Sequence, residues 1–221
     1  MEIKKLWEGI PTKKCAECAR KDKTCDGMLV YDNLCSNVNY LEMYGEANYE
    51  RNKETFAELK KKLNGEKPSI FSFGCGLGLD YLGVKEVFGD NATYCGIDKC
   101  KWAITQTENY KNFTPKLPKA IDFDDGMFSL HFPYQNPVLC FFHSLYTISK
   151  NVDLKSKLLE MLQGKPNFYI VVNFTINVHF GPVIREREFL GELVTELKRT
   201  FNIKQFDILN DTAIIIKGEK K

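Results

Sequence analysis

No run of apolar residues in this 221-residue chain reaches the 20 or so needed to cross a membrane. Its first residues, MEIKKLWEGIPTKK, lack the apolar core of a secretory signal. It also lacks a surplus of either charge, since 31 basic and 29 acidic side chains leave a formal net charge of +2. So even a balance gives no global electrostatic footprint for nucleic acid, although a local basic patch is compatible with it. Internal repeats and low-complexity tracts are missing, and no nucleophile–base–acid triad can be picked out. These absences lead us to expect a cytoplasmic location and no membrane partner. In a reducing compartment the eight cysteines are thiols or metal ligands rather than disulfides. With 43% hydrophobic and 27% charged residues, the composition is globular and suits one α/β domain with a small addition.

What is present centres on Pro68 to Trp102, PSIFSFGCGLGLDYLGVKEVFGDNATYCGIDKCKW. Ser69 to Phe73 reads as a buried strand, followed by a glycine-rich turn, a short helix and a second strand ending on Asp98. Gly74, Gly76 and Gly78 alternate in the turn, so the backbone can bend sharply and approach a ligand closely. The helix beyond them points free N–H groups and a positive dipole end at that ligand. An acid at the next strand tip can accept from a ribose diol. Together these parts predict the nucleoside-binding half of a doubly wound α/β sheet.

The spacing separates cofactors. A dinucleotide fold wants G-x-G-x-x-G, and the third glycine of that pattern would fall on Leu79. The pattern here is G-x-G-x-G, with Asp98 twenty positions after Gly78. This resembles the first motif and following acid of the class I S-adenosylmethionine-dependent methyltransferases. The order of elements resembles that family from about Tyr49 onward, with the Gly74–Asp98 piece as its specific part. One departure stands out: the family usually has Asp or Glu two residues before the first glycine, near the methionine end of the cofactor, and this chain has Ser72.

The resemblance implies a doubly wound seven-stranded sheet, mostly parallel with a C-terminal antiparallel hairpin. Residues IKQFDIL and TAIIIKG flank Asn210-Asp211 and supply that hairpin, which many dinucleotide folds lack. The resemblance also implies a donor site formed by Ser72, Gly74, Cys75, Gly76, Gly78, Asp98, Lys99, Asp122, Phe123 and His143. The third strand is expected within KAIDFDDGMFS, where Asp122 and Phe123 would meet adenine, with Asp124 and Asp125 equally good by charge. Trp102 can contact adenine or simply pack in the core.

Pro137 to Phe142 is an apolar run of strand length ending at His143-Ser144-Leu145-Tyr146. In such a sheet ligands bind beyond the carboxyl ends of strands, so this tip would border the transferred methyl. His143 and Tyr146 are the candidate catalytic residues, as a general base or by orienting the acceptor. The Asn/Asp-Pro-Pro-aromatic signature of amino-methyltransferases is missing at this tip, which argues against a typical DNA adenine enzyme.

Residues 1–45 form a distinct cysteine-bearing segment before a domain over 46–221. Cys15, Cys18, Cys25 and Cys35 are its candidate metal ligands, with zinc preferred over an iron–sulfur cluster because four thiolates suit a tetrahedral ion. By resemblance, this segment is a lid or a substrate-recognition piece. A helix is expected where Phe56, Leu59 and Leu63 recur, stopped by Asn64-Gly65 and Pro68, with Glu58 and Lys62 as an i,i+4 pair. Further helices are expected over KCKWAITQTENY, around Leu154, Leu158, Met161 and Leu162, and over EREFLGELVTELKRTF after a loop carrying His179.

The function expected is methyl transfer from S-adenosylmethionine to an unidentified small molecule, RNA or protein. A rival is a non-catalytic nucleoside-binding scaffold whose metal-bound N-terminal segment docks a protein or nucleic acid, favoured by Ser72. A dehydrogenase is a third, weakened by Leu79 and the terminal hairpin.

Overall fold

A computed structural model describes residues 3–10, 34–98, 100, 102–113, 137–150, 152–174, 180–209 and 212–221. Helix α1 (Leu34–Tyr40) passes through a π-type turn (Leu41–Gly45) into α2 (Glu46–Leu63), so position 45/46 lies inside one continuous helical run. Phe56, Leu59 and Leu63 are buried at the predicted spacing. Asn64 ends α2 in the left-handed region at φ +50°. Glu58 pairs with Lys61 at 2.5 Å rather than with Lys62, whose ammonium sits 4.3 Å over the Phe206 ring.

Six strands form one sheet: β1 (Ser69–Phe73), β2 (Thr93–Ile97), β3 (Pro137–Phe142), β4 (Asn167–Asn173), β5 (Phe201–Ile208) and β6 (Ala213–Lys220). Their order is β2-β1-β3-β4-β6-β5. The first four are mutually parallel, and β6 lies antiparallel between β4 and β5. The sheet therefore has six strands among the described residues, not the expected seven. The segment expected to supply the other, 119–129, lies outside them. Among the described residues β2 stands at an edge, and of its residues only Gly96 and Ile97 are buried.

Every residue of β1 and β3 is buried, because helices cover both faces. Alternation along β1 sends Phe71 and Phe73 to one apolar layer and Ile70 to the other. The first layer is closed by α5 (Leu145–Ser149), α6 (Leu154–Leu162) and α7 (Phe180–Thr200), the second by α2 and α3 (Leu79–Phe88). In α6, Leu154, Leu158 and Leu162 are buried as expected, and Asp153 caps the helix by accepting from Ser156 N–H at 3.2 Å.

Two expected elements differ. The helix predicted after Asp98 is split into a 3₁₀ turn (Ala103–Gln106) and α4 (Glu108–Phe113). Thr107 is extended between them; its hydroxyl donates to Ile104 O at 2.8 Å and accepts from Tyr110 N–H at 3.3 Å, ending one element and starting the next. Helix α7 begins at Phe180, inside the segment expected to be loop, because Pro182 falls in a first turn that needs no N–H there. His179 and the Asn210-Asp211 turn lie outside the described residues; the hairpin approaches its turn through Leu209 at φ +53°. Among the described residues, no helix is long and apolar enough to cross a membrane.

Candidate functional site

The chain runs from β1 outward to β2 and returns to lay β3 on the other side of β1. That reversal opens a crevice at the carboxyl ends of β1 and β3. The glycine turn fills its floor. Gly74, Gly76 and Gly78 have φ of +71°, +52° and +69°, which a residue with a Cβ rarely adopts. Gly74 N–H and Cys75 N–H both donate to Ile97 O, at 2.7 and 3.1 Å, so the turn is tied to the end of β2.

A Cβ would clash at Gly74 and be tightly packed at Gly76. A Cβ on Gly74 would lie 2.6 Å from Ser144 Cβ, and one on Gly76 would lie 3.1 Å from the Trp102 ring. Ser144 cannot easily yield, since its hydroxyl donates to Phe73 O at 2.5 Å. Gly74→Ala is therefore expected to cost about 1–3 kcal/mol through backbone strain and overpacking. A thermal melt that matched wild type would contradict the contact.

Asp98 closes the turn. Its Oδ2 accepts from Gly76 N–H at 2.7 Å and its Oδ1 from Cys100 N–H at 2.8 Å. The two strand ends are thus joined through one carboxylate, which faces the cavity together with Gly74, Cys75 and Gly76. Asp80, in the first turn of α3, faces the same cavity from beneath the turn. It is fully buried, and burial is the largest cause of its raised pKa. Tyr94 donates its hydroxyl to Oδ2 at 2.7 Å. Oδ1 has no hydrogen-bond partner within bonding geometry, while the Ser72 hydroxyl lies close enough to act against the raised pKa.

Across the cavity stands the end of β3. His143 has φ +58°, held by its N–H donating to Asn173 O at 3.0 Å. Its ring bonds to the Phe174 backbone, and burial, then the Arg51 guanidinium, hold its pKa down to about 4. The ring is neutral at physiological pH, and its Nε2 carries no hydrogen-bond partner. Helix α2 adds Asn48 and Asn52, whose value the sequence reading missed. Asn52 belongs to a buried polar chain: Asn173 Nδ2 donates to Asn52 Oδ1, and Thr55 Oγ1 bonds to Asn173 Oδ1, both at 2.9 Å. Asn48 donates to the Tyr40 hydroxyl at 3.0 Å, and burial pushes that phenol's pKa up to about 12. Trp102 lines the cavity and packs at 7% exposure with Leu77, Leu79 and Ile104.

Of the residues singled out in the sequence, Gly74, Cys75, Gly76, Asp98 and His143 share this cavity. Ser72 lies fully buried below it, and Gly78 serves as the left-handed cap of α3. Tyr146 is in α5, with its side chain outside what is described. Lys99, Asp122, Phe123, Cys15, Cys18 and Cys25 lie outside the described residues, as does the side chain of Cys35. Among the described residues no group of three or more His, Cys, Asp or Glu side chains is arranged to hold a metal.

No protein-family model matches the sequence, and no curated protein matches it. Solved structures do resemble the chain. The plantazolicin methyltransferase BpumL, in complex with SAH, matches at a TM-score of 0.51 and 15% identity, over 84% of this chain and 89% of that one. The PH0226 protein of Pyrococcus horikoshii matches at 0.51 and 14%, over 78% and 92%. A structure described as a putative O-methyltransferase from Nostoc punctiforme matches at 0.53 and 11%, over 84% and 60%. The fold is that of the class I S-adenosylmethionine-dependent methyltransferases. Identities this low establish a class I methyltransferase fold and leave activity and acceptor to be argued from the site.

Proposed function

We propose that the chain is an S-adenosylmethionine-dependent methyltransferase. The observation that carries this reading is the charge of the cavity on top of its shape. Two carboxylates, Asp98 and Asp80, face it, and no Lys or Arg lines it among the described residues. S-adenosylmethionine is a net cation, with a sulfonium, an ammonium and one carboxylate. Among the described residues, the pyrophosphate of a dinucleotide would meet two acids and no Lys or Arg. The missing Cβ at Gly76 lets the Trp102 ring, which also lines the cavity, pack close against the turn.

The bound donor would supply a methyl group made electrophilic by the sulfonium, and the protein's work is to bind, orient and exclude water. Asp98, held by the Gly76 and Cys100 N–H groups, would accept from the ribose diol. Lys99, Asp122 and Phe123 would complete the adenosyl end. With its pKa near 4, His143 is a poor proton acceptor at neutral pH but a good hydrogen-bond acceptor. Its Nε2 would orient an acceptor O–H or N–H, with Tyr146 nearby in sequence for the same purpose. Holding acceptor and methyl about 3–3.5 Å apart supplies much of the acceleration such a site needs.

Thermal melts with S-adenosylmethionine and with NADH test the reading. At a hundredfold excess over Kd the donor should add about 2.7 kcal/mol, and so raise Tm by roughly 5–10 °C. NADH should leave Tm unchanged. Stabilisation by NADH alone would replace this reading with a dehydrogenase.

A further inference from the structure

The cavity holds one carboxyl oxygen that the fold leaves without a partner. Asp80 lines the cavity, and its Oδ1 is buried and unbonded. Burial raises the pKa of Asp80 and outweighs the hydrogen bonds from Ser72, Tyr94 and the Tyr81 and Asp80 backbone N–H groups that act against it, and no cationic side chain is among the groups acting on it. Its neighbours are the Tyr94 hydroxyl, the Ser72 hydroxyl and the Cys75 and Cys140 thiols, the last two themselves raised in pKa by burial first and then by this acid. A buried acid kept for stability alone would be paired or replaced by an apolar residue, because an uncompensated one costs several kcal/mol. An arriving cation with N–H groups removes that cost and uses the open acceptor.

Resting on the donor reading above, we infer that Asp80 is the counter-ion for the amino-acid ammonium of the methyl donor. The sulfonium has no N–H to give Oδ1 and must face the acceptor, whereas the ammonium has three donors. The other fixed carboxylate, Asp98, is committed to the Gly76 and Cys100 N–H groups at the end of β2. Ser72, on β1 where the resembled family usually has an acid, stands beside Asp80. The negative charge is thus delivered from helix α3 to a place the strand leaves neutral.

Two ligands separate this from a merely structural acid: S-adenosylhomocysteine and its deamino analogue, which keeps the carboxylate. In calorimetry the full wild-type chain should prefer S-adenosylhomocysteine by about ten- to a hundredfold, the scale of a charge-assisted hydrogen bond. Asp80→Asn should bind the two alike. In the absence of ligand it should melt at or above the wild-type temperature, since the uncompensated acid is gone. Equal wild-type affinity for the two ligands overturns the inference without any variant. Retained preference in Asp80→Asn overturns it as well. If wild type binds neither ligand, the donor reading itself fails and this inference falls with it.

Discussion

Asp98→Ala is expected to weaken binding of S-adenosylmethionine by about a hundredfold or more. The side chain makes two charge-assisted bonds to backbone N–H groups, at 2.7 and 2.8 Å, each of a kind worth about 1.5–3 kcal/mol. Removing it loosens the turn at Gly76 and withdraws the acceptor for the ribose diol at once. The two losses can be separated. A 2′-deoxy analogue of S-adenosylhomocysteine cannot use the ribose contact fully, so it should bind wild type weakly and suffer less from the substitution. Asp98→Asn should fall between, because an amide offers one carbonyl oxygen and presents an NH₂ to the other backbone N–H. Wild-type donor affinity in Asp98→Ala would refute the site.

The parts of this site that lie close together in the sequence were legible there. Gly74, Gly76, Gly78 and Asp98 belong to one strand–turn–helix–strand unit, and β1 and β3 have the bounds that their apolar runs predict. Both strands are covered on two faces, so burial leaves an unbroken signal. Asn52 was not legible, since a polar residue in a helix ordinarily reads as solvent-facing. Its purpose comes from Asn173, 121 positions away, on a strand whose end points at the same cavity. Asp80 was hidden for the same reason: an acid in a first helical turn reads as a favourable dipole partner, and only the surrounding β1, β2 and β3 make it a buried, unmatched charge. Polar residues brought together by tertiary packing carry no local period, whereas apolar strands and glycine turns do.

Gly218→Ala should be the most damaging single-methyl substitution in the sheet. Gly218 of β6 pairs directly with Phe168 of β4, whose ring covers the space where a Cβ would stand. That Cβ would lie 2.1 Å from ring atom Cζ and 2.2 Å from Cε1. Phe168 is fully buried and meets Phe201 edge-on at 4.9 Å, so its ring has nowhere to swing. Gly218 is not in the positive-φ region, which makes the effect steric rather than conformational. Overpacking of this severity costs about 3 kcal/mol or more, or roughly 6–12 °C in Tm. Phe168→Leu removes the ring and should partly rescue Gly218→Ala, so that the double variant loses less than the sum of the singles. Donor affinity of the folded variant should stay within about twofold, a change of only a few tenths of a kcal/mol. Gly218 and Phe168 meet near the start of β4, whereas Asn173, at its other end, holds the cavity-lining Asn52. A melt within about 1 °C of wild type, well under the shift expected from 1 kcal/mol, would mean that β4 and β6 are not paired in this register.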